Sequence, residues 1–67
     1  MNKEEIYEKA NSVIGIDGMT GNERLWESGL MDEFDKAKKS DKHKARTILQ
    51  ALKFDELSIG RIVGFSM

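Results

Sequence analysis

The sequence predicts an all-α protein: a compact bundle of four short helices that forms a single domain over residues 1–67. Apolar side chains recur at the three- and four-residue intervals of helices that bury one face. No segment alternates apolar and polar side chains as a half-buried strand does, and 67 residues leave room for one domain only. The predicted helices span residues 2–14, 20–39, 41–52 and 56–63.

The first helix has a well-defined start and a glycine at its end. Asn2 is followed three residues later by Glu5, so each side chain is placed to satisfy a backbone N–H at the helix start. Gly15 suits the left-handed conformation that often ends a helix. The predicted buried stripe, with Tyr7 at its margin, consists of Ile6, Ala10, Val13 and Ile14.

The second helix is the longest of the four, and we expect it to be the centre of the fold. Thr20 and Glu23 form a capping-box pattern at its start. Gly29 in its middle costs about 1 kcal/mol relative to alanine, which indicates either close packing by another helix or a kink. Its predicted buried stripe contains the only tryptophan and consists of Trp26, Leu30, Phe34 and Ala37.

Two shorter helices complete the predicted bundle. Ser40 or Asp41 is expected to cap the third helix, and Asp55 is expected to cap the fourth. The third helix has a clear helical stripe of Ala45, Ile48, Leu49 and Leu52, and the fourth is expected to bury Ile59, Ile62 and Val63.

Composition narrows the class of protein. The chain has no cysteine, no apolar run of the roughly 18 residues that a membrane span needs, and a charged N-terminus without the apolar core of a secretory signal. We therefore expect a small cytoplasmic protein of bacterial or phage origin that does not bind a membrane. Residues 1–35 carry three basic and nine acidic side chains (net −6), and residues 36–67 carry eight basic and three acidic ones (net +5). This split is a hint about partners.

No residue pattern predicts chemistry, so we expect a non-enzymatic protein with no catalytic residues, cofactor, metal or small-molecule substrate. The acids Asp32, Glu33 and Asp35 alternate with apolar residues as on a solvated helix face, without calcium-loop spacing. His43 lies in a lysine-rich corner without a recognisable catalytic partner. The three glycines at positions 15, 18 and 21 lack the preceding strand and the lysine of a phosphate-binding loop.

A surplus of apolar residues favours a protein-interaction module, such as an adaptor, an inhibitor or a self-associating protein. Beyond the predicted stripes, further apolar residues remain, and not all of them can be central in so small a core. These candidate interface residues are Tyr7, Leu25, Met31, Leu57, Phe65 and Met67. The alternative interpretation is that they form the edge of the core.

Nucleic-acid binding is the alternative function. Residues 44–63 have the outline of a helix–turn–helix, and basic side chains next to it would attract phosphates. The candidate contacts lie in segment 36–46 and helix 56–63 and are Lys36, Lys38, Lys39, Lys42, Lys44, Arg46 and Arg61. Three observations weaken this interpretation. The isoelectric point is near 5.8, and the second helix of the pair has one arginine and no Asn or Gln. Gly60 and Gly64 also make it a poor helix to insert in a groove.

Overall fold

The computed structural model describes residues 2–64 and contains five α-helices and one short 3-10 turn at Ile16–Gly18. The all-α prediction is confirmed, and no strand occurs in the part of the chain that the structure describes. The count of four helices is wrong by one, because the predicted second helix is two helices. The five are α1 (Lys3–Asn11), α2 (Gly21–Ser28), α3 (Met31–Ser40), α4 (Lys42–Ala51) and α5 (Glu56–Val63).

The centre of the fold is α4. It packs against α1, α3 and α5, whereas α2 packs on α1 and α3. The predicted stripe of α4 is confirmed, since none of its members, Ala45, Ile48, Leu49 and Leu52, has any exposed surface. The expectation that the segment around the tryptophan forms the centre is wrong.

Gly29 ends α2 and splits the predicted long helix. Its φ of +76° is left-handed, its N–H donates to the Trp26 carbonyl at 3.1 Å, and the Leu30 N–H donates to the Leu25 carbonyl at 3.1 Å. These two bonds define a Schellman motif, in which the residue after the glycine packs on the last turn of the helix. Leu25 and Leu30 are accordingly buried, and Trp26 is 72% exposed. The prediction that Trp26 is a core residue is therefore wrong.

The first helix is shorter than predicted. It begins after Asn2 and stops at Asn11, where the Ser12 hydroxyl donates to a carbonyl of the last turn at 2.7 Å. Val13 is half-buried and Ile14 is 91% exposed, so the prediction that Ile14 is buried is wrong. Gly15, with a φ of +74°, starts the 3-10 turn instead of capping α1.

Of the three residues predicted to be buried on α5, two are buried. Ile59 and Val63, four positions apart, are buried, whereas Ile62 is 42% exposed because it lies at the margin of that face. A connection of four residues, 52–55, joins α5 to α4.

The predicted N-cap positions are confirmed, although Asp55 precedes α5 without a side-chain capping hydrogen bond. Asn2 with Glu5, and Thr20 with Glu23, each form both hydrogen bonds of a capping box, at 2.8–3.0 Å and 2.9–3.3 Å. The Asp41 carboxylate accepts from the backbone N–H three residues into α4 at 3.2 Å, so Asp41 rather than Ser40 is the cap.

α2 and α4 end with the same left-handed geometry, and we expect substitutions at these two ends to change stability in opposite directions. Lys53 ends α4 as Gly29 ends α2, with a φ of +67°, although it carries a Cβ that disfavours this conformation by about 1–2 kcal/mol. We expect Lys53→Gly to raise the free energy of unfolding by about 0.5–1 kcal/mol, less than the full relief because glycine has the more flexible unfolded state. Gly29→Ala is expected to lower it by about 1–2 kcal/mol. Urea unfolding measures both, and a Lys53→Gly protein less stable than wild type would contradict the expectation.

An ion pair joins α3 to α4 and makes stability depend on pH. The Lys44 ammonium lies 2.9 Å from the Glu33 carboxylate, and its hydrogen bond and charge lower the pKa of Glu33 below its usual range. Because the folded pKa is the lower one, the stabilisation is complete above the unfolded pKa of about 4.3. It is lost as the pH falls through the pKa of folded Glu33. NMR titration of this carboxyl should show the low pKa, and Lys44→Met should return it to the ordinary range.

Candidate protein-binding surface

Trp26, the most exposed aromatic side chain within residues 2–64, lies where α2 and α3 meet. On α2, positions 22 and 26 share one face because they are about one helical turn apart, and Gly29 follows at the end of the helix. On α3, positions 31, 35 and 38 share one face for the same reason. These two faces border two adjoining clefts, and Met31 lines both of them. We call this region, with its two clefts, the α2–α3 surface.

The first cleft has a volume of about 210 Å³ and an apolar floor. The buried side chains of Leu25 and Phe34 form this floor. The residues around it come from α2, α3, α5 and the corner before α5, and they are Gly21, Asn22, Met31, Asp35, Lys38, Phe54 and Ile62. The cleft therefore depends on the packing of three helices.

The second cleft lies beside Trp26 and has a volume of about 220 Å³. Gly29, Met31 and Asp32 complete its lining. Both volumes are below the 300–1,000 Å³ that is typical of sites for small molecules. Each cleft is therefore smaller than a usual small-molecule site.

The corner before α5 is held against α2 by Arg24. Its Nε donates to the Met19 carbonyl at 3.2 Å, and its Nη1 donates to the carbonyls of Leu52 and Lys53 at 3.2 and 3.3 Å. The guanidinium carbon also lies 5.5 Å from the centre of the Phe54 ring. A Cβ at Gly21 would lie 2.9 Å from Cε2 of the same ring. Phe54 is thereby fixed as one wall of the first cleft.

Three charged side chains line the clefts of the α2–α3 surface. Asp35 borders the first cleft and Asp32 the second, and both side chains are exposed. The Lys38 ammonium lies 5.6 Å from the centre of the Phe34 ring, as a cation–π contact requires. The lining of the clefts therefore carries two acids and one base, and a second base, the Lys9 ammonium, lies 3.9 Å from where a Cβ at Gly29 would be.

The structure distributes the predicted interface residues over different parts of the molecule. Met31 lines both clefts, and the buried Leu25 lies beneath one of them. Tyr7 is half-buried against the core, and Leu57 is exposed on α5 but lines neither cleft. The two remaining predicted contacts, Phe65 and Met67, lie outside the described residues.

Sequence reasoning missed Trp26 and Ile62 as surface residues, since it assigned both to buried stripes. The pattern Leu25-x-x-x-Gly29-Leu30 contains the missing signal. A glycine followed by an apolar residue, five positions after another apolar residue, is typical of a Schellman helix end. Such an end places the two leucines in the core and Trp26 on the neighbouring, exposed side.

The basic residues of the nucleic-acid alternative do not form a uniform free surface. Lys44 pairs with Glu33, and the Arg46 guanidinium lies 2.8 Å from the Glu56 carboxylate. The remaining basic side chains of this set are exposed, and they are Lys36, Lys38, Lys39, Lys42 and Arg61. His43 is also exposed, at the start of α4.

Within residues 2–64, no three His, Asp or Glu side chains lie close enough together to share a metal ion. Nor does any helix of that range have the length and apolar character of a membrane crossing. No family model, curated protein or solved structure matches the chain.

Proposed function

We propose that this chain is a non-enzymatic protein-interaction module that binds another protein through the α2–α3 surface. The observation that carries the proposal is Trp26, which is 72% exposed beside a cleft that it shares with Met31. Tryptophan is the residue type most enriched among binding hot spots, and methionine adapts its shape to a partner. A large exposed aromatic side chain beside a cleft supports this proposal, since exposed apolar surface rimmed by polar residues is typical of protein-interaction sites.

The geometry of the clefts supports the same proposal. Leu25, Phe34, Phe54 and Ile62 give the first cleft apolar walls, and polar residues border it. An apolar centre with a polar rim is the usual composition of a protein interface. Core packing and the Arg24 hydrogen bonds hold these walls, so the partner meets a preformed surface.

The test is quantitative capture of proteins from extracts of the source cells on three immobilised variants. We expect a partner that the wild type and Ile14→Ser retain equally and that Trp26→Ala retains at least about tenfold less, as for a hot spot. Ile14 is the matched control, because it is 91% exposed but lines neither cleft. If no captured protein depends on Trp26, or if Ile14→Ser abolishes capture equally, the proposal is wrong.

Nucleic-acid binding is the second candidate, since α4 and α5 form a helix pair joined by only four residues. The exposed face of α5 offers Leu57, Arg61 and Ile62, which provides one side chain able to bond a base edge. An electrophoretic shift with random duplex at low salt tests this candidate, because non-specific affinity is greatest there. Absence of a shift rules it out.

A further inference from the structure

We infer that the occupant of the α2–α3 surface is an amphipathic helix of another protein, with an apolar stripe flanked by Lys or Arg. This inference rests on the proposed function, which it makes specific in the shape and charge of the partner. Three features carry it: two adjoining clefts, the helical nature of the surrounding backbone, and the acidic rim.

The two clefts require two anchoring side chains that are close neighbours. Met31 lines both clefts, so the two share part of a wall. Side chains at positions i and i+3 or i+4 of a helix have Cβ atoms about 5–6 Å apart and point the same way. One helical turn therefore delivers two anchors to two clefts that share a wall. This is the helix-in-groove mode of recognition.

An extended partner segment fits this surface less well. The backbone groups inside α2 and α3 bond within their own helices, and only the first N–H groups of α3 have no side-chain cap, so the surface offers no continuous ladder of donors and acceptors to a strand. A partner that loses water over the clefts must then satisfy its own backbone. A helix does so, because each internal N–H bonds to a carbonyl of the same helix.

The acidic side chains around the clefts favour a partner helix with basic residues beside its apolar stripe. Asp35 and Asp32 border the two clefts, and Glu23 and Glu27 are exposed on α2 close to Trp26 in sequence. Two basic side chains lie near these four acids: Lys38 lies over the Phe34 ring, and the Lys9 ammonium lies 3.9 Å from where a Cβ at Gly29 would be, so acids outnumber bases by four to two. Basic flanks are attracted to this rim and acidic flanks are repelled, which changes association rate and specificity more than the apolar contact does.

A second copy of the chain is a poor occupant. In a two-fold contact the same patch meets itself, so Asp32 and Asp35 of one copy would approach the same acids of the other. The basic segment 36–46 of a second copy has complementary charge but no exposed apolar anchor, because Ala37 and Ala45 are buried. The occupant therefore combines apolar anchors and basic flanks on one element, as an amphipathic helix does.

Selection from a displayed peptide library tests the inference while the partner is still unidentified. The library holds helical peptides with a randomised apolar stripe and flanks drawn from Lys, Glu and Ser, and it is depleted on Trp26→Ala before selection on the wild type. We expect the enriched peptides to be basic. Their Lys-flanked forms should bind about three- to tenfold more tightly than Glu-flanked forms at low salt, the effect of two exposed ion pairs. The Asp32→Lys/Asp35→Lys variant should reverse this preference.

The contrary outcomes separate this inference from the proposed function. Trp26-dependent peptides without charge preference would overturn the inference and leave the apolar docking surface intact. No Trp26-dependent peptide at all would count against both. If light scattering shows a dimer that depends on Trp26, the occupant of the surface is a second copy of the chain and not a basic helix. Emission from the single tryptophan reports the binding of tryptophan-free peptides directly.

Discussion

Leu49→Ala is expected to lower the free energy of unfolding by about 2–5 kcal/mol, the cost of removing a fully buried leucine from a packed core. Leu49 has no exposed surface and lies on α4, which packs against three other helices. At about 0.05–0.15 kcal/mol per residue, a chain of 67 residues has a total stability of about 3–10 kcal/mol. The substitution should therefore remove a large part of the stability, which urea unfolding followed by circular dichroism measures.

Leu57→Ala is the matched control, because the same atoms are removed from a side chain that is 55% exposed on α5. Its effect should stay within about 0.5 kcal/mol, as for most surface substitutions. The effect of Trp26→Ala on the free energy of unfolding tests whether α4, rather than the segment around Trp26, is the centre of the fold. A loss of 3 kcal/mol or more, which is typical of a buried tryptophan (about 3–5 kcal/mol), would contradict the exposed position of Trp26.

Arg24→Met is expected to lower the free energy of unfolding by about 1–3 kcal/mol, the second large effect. Methionine keeps much of the apolar stem but removes the donors to the Met19, Leu52 and Lys53 carbonyls. Carbonyls that lose a charged donor in a partly buried site retain their desolvation cost. Because this side chain also lies over Phe54, the wall of the first cleft should loosen.

Arg61→Met provides the control for the Arg24 substitution, since this arginine is exposed on α5. We expect it to change stability by no more than about 0.5 kcal/mol. Equal effects of the two substitutions would show that the hydrogen bonds of Arg24 do not hold the corner before α5.

The features that the sequence predicted correctly depend on residues within a few turns of helix. The capping boxes at Asn2 and Thr20 involve a partner three residues away, and the stripe of α4 repeats within a single helix. Such patterns are visible in one dimension. Of the candidate site, the sequence could single out Met31, which lies outside every predicted stripe and lines both clefts.

The orientation of Trp26 could not be predicted from periodicity alone. Trp26, Leu30 and Phe34 keep a helical spacing across Gly29. The sequence is therefore compatible both with one continuous helix and with two helices that meet at Gly29. Packing of Leu25 and Leu30 on the core decides in favour of the break.

The ion pairs of Lys44 and Arg46 were also invisible in the sequence. Their partners, Glu33 and Glu56, lie on other helices. Their positions become neighbours only when the helices pack, so the sequence overstated the free basic surface.

Quenching of tryptophan fluorescence by acrylamide tests the central claim most directly, because the chain contains one tryptophan. If Trp26 lies on the surface beside the α2–α3 clefts, quenching of the folded protein should approach that of the urea-unfolded chain. The emission maximum should also be that of an indole in water. A blue-shifted emission that acrylamide quenches several times less in the folded protein than in urea would place Trp26 in the core and contradict both the fold and the binding surface.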